Sequence, residues 1–349
     1  MNMELYFLDE DFNVTDITDE FTSVVFSEKY YEIGTFCVHF PPSLISRVRA
    51  AQYIRTSPAD EDEGDVKCGR IERIRYSDGG DCTAEGRLLE VLLADRIMVG
   101  NGGYAGTVTD VVCEAVSDNL RGSCVSIGSE QAEITETAEL SYSYDNLAER
   151  LYTFLKPYGA SFRVKLNETL THPVFSVVIG CDRTTDTGGD SAVVFSPTFG
   201  NIASLEFLGD TSEQKNKAFV RGHDGTLVTV DKSDGGDKRE IYVNADNISP
   251  TDYSSSSGYT AALRARGEEE LSKHRDGMRL SAECDNGALP IYGTDYALGD
   301  VCDVCIDESG TSFPLMLTGA DTVWENGTKT VFPSFGDEVV SIKKLFGGL

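Results

Sequence analysis

Residues 24–42, VVFSEKYYEIGTFCVHFPP, constrain the fold most, because apolar and polar side chains alternate on both sides of one glycine. One face of this alternation consists of Val24, Phe26, Phe36, Val38 and Phe40. A period of two on each side of a break predicts two half-buried antiparallel strands joined by a turn. Gly34 can supply a positive φ in that turn. Pro41 and Pro42 cannot donate to a strand ladder, so the second strand should end at Phe40.

The chain has 349 residues, which is more than one ordinary hydrophobic core supports, so we expect two or three domains. No apolar run approaches the ~20 residues of a membrane-spanning helix, and no stable membrane insertion is expected. The N-terminus, MNMELYFLDEDF, has early acids and neither a basic segment nor an apolar core, unlike a secretory signal. The sequence therefore predicts several packed globular domains.

The net charge of the chain is −28, from 58 acidic and 30 basic residues. A field of that sign repels phosphate backbones, which argues against sequence-specific binding of nucleic acid. Two interpretations of the acidic surface stay open. It serves solubility alone, or it lets DNA pass without sticking.

Nine cysteines are scattered along the chain, and their odd number argues against a disulfide framework. Synthesis in a reducing cytosol fits this pattern better. Cys302 and Cys305 have the spacing of some zinc and redox sites, but VCDVCID is typical of a strand, in which these thiols point to opposite faces. No second such pair accompanies them, so two small hydrophobic side chains in a sheet are the favoured interpretation.

Residues 1–100 are predicted to form a first tube-like β-domain, in which a second long hairpin turns at 78–81, DGGD. The acidic segment 57–65 is predicted to be a solvated loop rather than a calcium loop, because its glycine falls one place early. The segment RLLEVLLADRI is predicted to be a helix, because four leucines share one helical face. These are Leu88, Leu89, Leu92 and Leu93.

Residues 101–196 are predicted to form a small α/β domain after the flexible break GNGG. Thr107 can cap a helix that runs to about Leu120. A second helix is expected to start at Ser143, because leucines recur at helical spacing after it. The strands expected next are Phe162–Leu166 and Val174–Ile179.

Residues 197–349 are predicted to form a second tube-like β-domain, which includes a helix at 259–275. Its long hairpin, 225–243, is expected to turn at 233–237, SDGGD, which repeats the letters of 77–81. The repeat has two interpretations: convergent turn chemistry, or one β-domain fold used twice in the chain. The predicted fold class is mainly β (α+β), with two tube-like antiparallel β-barrel or sandwich domains and a small α/β domain between them.

The sequence contains no signature of enzyme chemistry. No nucleophile elbow, P-loop or dinucleotide fingerprint occurs, and Ser123-Cys124 has no neighbouring base. Asp78 and Asp234 are expected to serve turn conformation. The four histidines share no metal-binding or catalytic spacing, so we expect surface or boundary histidines at His39, His172, His223 and His274. We therefore predict no catalytic, cofactor-binding or metal-binding residue.

Successive blocks of the sequence, over about residues 4–340, resemble those of a known family in the same order. The blocks are KYYEIGTFCVHFP, GRLLEVLLADRIM, VVIGCDRT, VVFSPTFGNI, NKAFVRGHDG, KREIYVNADNI, LRARGEEEL, YGTDYALGDVCDV and VFPSFGD. They resemble the siphophage tail protein family called gene-product-thirty-seven-like. That family is similar to the gene-product-twenty-seven-like baseplate hub fold.

The resemblance implies a structural tail hub of a phage or prophage-derived particle. Three chains with two β-domains each would form a pseudo-six-fold ring that joins the tail tube to the tail tip and lines the DNA exit channel with an acidic lumen. The implied partners are two further copies of the chain, a distal tail or tail tube protein above, and a tip, fibre or lysin protein below. The implied location is the virion tail, assembled in the cytoplasm of the bacterial host, with no cofactor.

Two alternative functions stay open on the sequence. One is a peptidoglycan hydrolase of the tail tip, whose acid pair cannot be located by spacing, because two carboxylates must lie about 5–9 Å apart across a cleft. No peptidase or lysozyme module follows the matched blocks before Leu349, so we expect no enzymatic activity. The other alternative is a carbohydrate-binding receptor module, which requires an exposed aromatic platform, although Trp324 is the only tryptophan.

Overall fold

The structure is a computed structural model that describes most of the chain. The described residues are 3–57, 66–77, 80, 82–187, 189–210, 212, 214–233, 235–253, 255–274, 277–284, 290–305 and 312–336. Their contacts form two compact units. The larger unit holds Met1–Glu206 and Leu280–Gly336, and within the described residues the smaller unit is Phe207–Arg279.

Strands dominate the first hundred residues, which agrees with a mainly β fold. They are β1 (Leu5–Leu8), β2 (Val14–Thr18), β3 (Ser23–Lys29), β4 (Thr35–Phe40), β5 (Tyr53–Thr56), β6 (Cys68–Tyr76) and β7 (Cys82–Leu88). The α-helices of this region are α1 (Ile45–Ala50) and α2 (Val91–Ala94).

Helices and strands alternate in the middle of the chain, as expected. The elements are β8 (Asn101–Thr107), α3 (Val108–Asn119), β9 (Ser126–Ile127), β10 (Thr137–Ser143), α4 (Leu147–Leu155), β11 (Ala160–Leu166) and β12 (Pro173–Ile179). β8 pairs with β10, and the order of the neighbouring sheet is β11-β12-β9.

Strands return in the last part of the chain, with one long helix among them. The elements are β13 (Val194–Phe195), β14 (Ile202–Asp210), β15 (Lys217–Gly222), β16 (Leu227–Asp231), β17 (Glu240–Ala245), α5 (Ser256–Ser272), β18 (Gly277–Cys284), β19 (Val301–Cys305), β20 (Ser312–Glu325) and β21 (Thr328–Gly336). The boundaries between the two units fall inside β14 and β18.

The largest sheet has 13 strands, and its main path is β14-β18-β21-β20-β3-β4-β7-β6-β5-β1-β2. β20 lies antiparallel to β3, with Val323 opposite Val25. Strands from both ends of the sequence therefore share one sheet. Among the described strands this path is open rather than a closed barrel. The expected division of the chain at residues 100 and 196 stays a prediction.

The hairpin expected at residues 24–40 is confirmed as β3 and β4, which pair antiparallel with Phe26 opposite Phe36. Its core-facing side chains are at most 3% exposed, and β4 ends at Phe40. The expected positive φ of Gly34 is not observed. Glycine is needed there for close packing instead, because a Cβ would lie 2.5 Å from Leu88 Cδ1.

The two helices expected in the middle of the chain are present. The side chain of Thr107 caps α3 as predicted, by accepting a hydrogen bond from a backbone amide of the first turn. The second helix, α4, begins at Leu147 rather than at Ser143. The reason is local, because Asn146 rather than Ser143 provides the N-cap.

The helix expected in RLLEVLLADRI is shorter than predicted. Leu88 belongs to β7, and α2 begins only at Val91. All four leucines of this segment are nevertheless buried, since each is at most 8% exposed. The apolar run therefore reflects burial from two elements rather than one face of a long helix.

The prediction of a hairpin at 225–243 is wrong. β16 and β17 flank β15 on opposite sides, antiparallel and parallel to it respectively. The tight turn lies between β15 and β16, where the Gly222 amide donates to the Thr226 carbonyl and Gly225 has a φ of 85°. The segments 77–81 and 233–237 therefore follow strands with different pairings, which favours convergent turn chemistry as the origin of the repeat.

The helix expected at 259–275 is α5, which begins three residues earlier because Ser255 provides its N-cap. α5 packs on one face of the β16-β15-β17 sheet through Leu263 and its neighbours. A Cβ on Gly267 would lie 2.7 Å from Val220 Cγ2. The glycine thus allows the helix to lie close to the strands.

Candidate functional site: a polar cavity in the larger unit

A cavity of about 320 Å³ lies within the larger unit. Its acidic lining residues are Glu28 and Asp300. Its basic lining residues are Lys67, Arg163, Lys165, Arg183 and Lys329. In a chain with 58 acids and 30 bases, such an excess of basic side chains is unlike the overall composition.

Glu28 lies on the core-facing side of β3, two residues after Phe26. Its Oε2 accepts hydrogen bonds from Lys67 Nζ and, at 3.1 Å, from the Tyr292 hydroxyl. The side chains of Glu28 and Lys67 are each 13% exposed. This cluster connects β3 to the segment before β6 and to the segment before β19.

Asp300, just before β19, forms a second connection. One carboxylate oxygen accepts from the Cys181 amide at 2.7 Å. The other accepts from Arg183 Nε at 2.5 Å and from the Ala297 amide at 3.0 Å. The Asp300 side chain is only 4% exposed, so all of these bonds lie away from bulk water. Asp300 thereby fixes the segment after β12 against β19.

Arg163 in β11 is 9% exposed, and its Nη1 donates to the Phe162 carbonyl at 3.0 Å. Its guanidinium carbon lies 5.3 Å from the centroid of the Tyr30 ring. Tyr30 also connects to β11 through its backbone carbonyl, which accepts from the Ser161 hydroxyl. The Tyr30 hydroxyl donates to the Gly159 carbonyl at 3.1 Å. The end of β3 is therefore anchored to β11 beside the cavity.

Burial and neighbouring charges shift the pKa values of three ionisable groups at the cavity. Burial alone would raise the pKa of Glu28, but Lys67, with smaller contributions from two further cations, holds that pKa below its ordinary value. Burial, and secondarily the Glu28 carboxylate, raises the pKa of Tyr292 well above its ordinary value. Burial also raises the pKa of Tyr30 to about 12. The ionised form is therefore favoured at Glu28 and disfavoured at Tyr292 and Tyr30.

The sequence analysis did not identify this cluster, although one signal was present. The period-two series of β3 continues from Val24 and Phe26 to Glu28, which places a carboxylate on the buried face. A carboxylate in that position requires a partner, because burial of an unpaired charge is costly. The partners Lys67 and Tyr292 lie 39 and 264 residues away, so local patterns cannot name them.

Cys302 and Cys305 both lie in β19 and are buried, free thiols. Burial raises the pKa of Cys302 to about 12, and its side chain packs with Phe195 in the core. Within the described residues, no group of three or more His, Cys, Asp and Glu side chains is arranged to hold a metal ion. Both thiols are buried, and their interpretation as small hydrophobic side chains stays a prediction.

The histidines lie on different elements. His39, His172 and His223 are exposed, and His274 is half-buried with its Nε2 3.8 Å from Glu270. Their surface or boundary positions agree with the sequence analysis. None of the described helices combines the length and apolar character needed to span a membrane.

Asp78 and Asp234 lie outside the described residues, as does most of the acidic segment 57–65. Cys124 is exposed, and the neighbouring Ser123 hydroxyl accepts a hydrogen bond from the Val125 amide. This hydroxyl therefore serves the local backbone.

Residues 2–337 match the model of a family described as Siphovirus ReqiPepy6 Gp37-like protein. The chain belongs to this family. The resemblance drawn from the ordered sequence blocks is thereby confirmed over nearly the whole chain. No curated protein matches the chain.

The Gp37-like chain is similar in structure to three solved tail proteins. The tail protein of Neisseria meningitidis MC58 has a TM-score of 0.59 at 14% identity, over 97% of this chain and 96% of its own. The 43 kDa tail protein of prophage MuSo2 from Shewanella oneidensis has a TM-score of 0.57 at 11% identity, over 96% of this chain and 98% of its own. Prophage tail protein gp18 of Listeria monocytogenes EGD-e has a TM-score of 0.53 at 14% identity, over 99% of this chain and 97% of its own. At these identities the likeness establishes a shared fold.

Proposed function

We propose that this Gp37-like chain is a structural hub subunit of a phage or prophage-derived tail. One observation carries the proposal: the family match and the shared fold with tail proteins both extend over nearly the whole chain. The similar tail proteins are covered almost completely as well, so the likeness is to whole subunits rather than to one domain.

The hub is a homotrimeric ring in this proposal. The large sheet supports it, because its main path ends in two different strands, β14 and β2. Within the described residues β2 pairs only with β1, and it exposes 48% of Val14 and 45% of Ile17. An edge strand with exposed apolar side chains is suited to cover by a neighbour. Contacts between two different surfaces of identical chains can close into a ring.

Each chain would contribute two β regions to the ring, so that three chains present six. The order of strands in the large sheet supports this arrangement of two β regions. β1–β7 come from residues 1–100, and the rest of the main path, β14, β18, β20 and β21, comes from residues 197–349. Such a ring would match a six-fold tail tube on one side and a three-fold tip on the other.

The ring would also line the channel through which DNA leaves the tail. The net charge of −28 supports an acidic lumen. Like charges repel over a Debye length of ~8 Å at physiological ionic strength, so DNA would pass without adhering. The chain would contact DNA without reading its sequence.

The proposed neighbours are a distal tail or tail tube protein above the ring and a tip, fibre or lysin protein below it. The proposed location is the virion tail, assembled in the cytoplasm of the bacterial host. The free cysteines support synthesis in a reducing compartment. The chain would act by assembly rather than by catalysis. A zymogram on bacterial cell walls tests this last point, because a cleared band would identify a hydrolase.

Light scattering after size-exclusion chromatography tests the trimer, on the chain alone and on the chain co-expressed with the proteins encoded beside it. We expect three copies of the 38.0 kDa chain in at least one of the two samples. Ile17→Lys should abolish the trimer without unfolding the chain, because it places a charge on the exposed edge of β2. Val99→Lys, at a 64% exposed loop residue, is the matched control and should leave the trimer intact. A monomer in both samples would contradict the proposal.

A further inference from the structure

Three hydrogen-bond donors on residues that line the cavity have no partner in the part of the chain that the structure describes. Arg163 Nη2, the Thr322 hydroxyl and Trp324 Nε1 are buried, and none of them contacts an acceptor among the described residues. Buried donors are normally paired, and each one that is not costs free energy. All three belong to residues that line the same cavity. Three residues that line the cavity therefore carry donors that none of the described residues uses.

The acidic residues of the cavity already accept other hydrogen bonds. Glu28 Oε2 accepts from Lys67 and Tyr292. Both oxygens of Asp300 are engaged by Arg183 and by two backbone amides. Among the lining residues the basic side chains outnumber the acidic ones.

The size of the cavity limits what can enter it. Its volume of about 320 Å³ is at the lower end of the ~300–1,000 Å³ that is usual for small-molecule sites. Ile179, which lines it, is 51% exposed, so the cavity reaches the surface. Leu298 and the Trp324 ring add apolar wall. These walls suit a small molecule with a short apolar part.

We propose that this cavity binds a small organic anion through a carboxylate or phosphate group. The oxyanion accepts hydrogen bonds from Arg163 Nη2 and the Thr322 hydroxyl, and the Arg163 guanidinium compensates its charge. The apolar part of the molecule lies against Trp324 and Leu298. All of its lining residues belong to one chain, so this proposal does not rest on ring formation.

Isothermal titration calorimetry of the full chain tests the site with two probes, citrate for carboxylates and inorganic phosphate for phosphates, at constant ionic strength. We expect saturable binding of at least one probe with one site per chain. Arg163→Met should weaken that binding at least ~10-fold, because it removes a charged donor. Arg73→Met is the matched control, since Arg73 is 67% exposed and pairs with Glu85, and it should bind as the unmodified chain does.

Two conservative variants keep the test decisive if Arg163→Met does not fold. Thr322→Val removes only the hydroxyl, and Trp324→Phe removes only the indole donor and part of the ring. Weaker binding in both variants, with circular dichroism like that of the unmodified chain, supports the site. Unchanged binding in both, an equal loss in Arg73→Met, or no saturable binding of either probe up to about 10 mM, would overturn it.

Discussion

The two units of the chain use charged residues in different ways. In the larger unit, Arg183 pairs with Asp300, whose side chain is 4% exposed. In the smaller unit, Arg221 pairs with Asp246, and these side chains are 45% and 50% exposed. Loss of one partner is costly for a buried pair and nearly neutral for an exposed pair. These two pairs therefore predict that the larger unit is sensitive to the loss of Asp300, whereas the smaller unit tolerates the loss of Asp246.

The smaller unit depends on close apolar packing instead. Its core consists of one face of α5 against the buried faces of β15, β16 and β17. Gly267 brings the helix near to Val220 and Val230, whose methyl groups would lie 2.7 and 2.8 Å from an added Cβ. The contrast suggests where each unit is most sensitive to substitution: a buried carboxylate in one and a glycine in the other.

Asp300→Ala should cause the largest loss of stability, about 3–5 kcal/mol. The change leaves the Arg183 guanidinium and two backbone amides without their acceptor. Urea unfolding monitored by fluorescence measures the effect in the larger unit, because Trp324 in β20 is the only tryptophan of the chain.

Asp246→Ala is the matched control for the smaller unit. It removes one partner of an exposed pair, so we expect a loss below about 1 kcal/mol, measured by circular dichroism. Equal losses of stability for Asp246→Ala and Asp300→Ala would contradict the expected difference between the two units.

Gly267→Leu should destabilise the smaller unit by about 1–3 kcal/mol, because the added side chain overpacks the interface between α5 and the strands. Amide hydrogen exchange should become faster in β15–β17 and stay unchanged in β3 and β4. Ala265→Leu adds the same side chain at an exposed position of α5 and serves as the control. Unchanged exchange in the Gly267 variant would show that the helix can move away at no cost.

Glu72 provides a smaller test, on an exposed ion-pair network of the larger unit. Hydrogen bonds from Arg87 and Arg70 lower the pKa of this carboxyl to about 2. A lowered pKa in the folded state stabilises the fold above the ordinary value, and this contribution is lost as the pH falls from about 4.5 towards 2. Because the side chain is 29% exposed, we expect less than about 1 kcal/mol after solvent screening.

Glu72→Gln should therefore flatten the pH dependence of unfolding in that acidic range and leave neutral stability little changed. About 1 M salt should shrink the difference between the two proteins, since it screens exposed charges. A loss for Glu72→Gln as large as that for Asp300→Ala would contradict the distinction between exposed and buried pairs.

The sequence was most informative where structure depends on neighbours in the chain. The alternation around Gly34 predicted β3 and β4 with the correct buried faces, and Thr107 predicted the start of α3. The wrong helix starts have a local cause in the N-caps Asn146 and Ser255, whereas the wrong hairpin at 225–243 reflects tertiary contacts. β17 pairs with β15 rather than with β16, and a turn sequence alone cannot state which strand its neighbours join.

The cavity could be predicted only in part, for the same reason. A carboxylate at Glu28 on a core-facing position indicates a buried polar cluster, but its partners are distant in sequence. β20 likewise joins β3 across almost the whole chain, and no local pattern specifies that pairing. The ordered blocks of the family resemblance identified the family correctly, but they named neither this pairing nor the cavity.

Electron cryo-microscopy of the tail particle that contains this chain tests the proposed assembly most directly. We expect three copies in a single ring between the tail tube and the tip, with acidic side chains around a central channel. A different number of copies, or a tip without this chain, would contradict the proposal that the chain is a hub subunit.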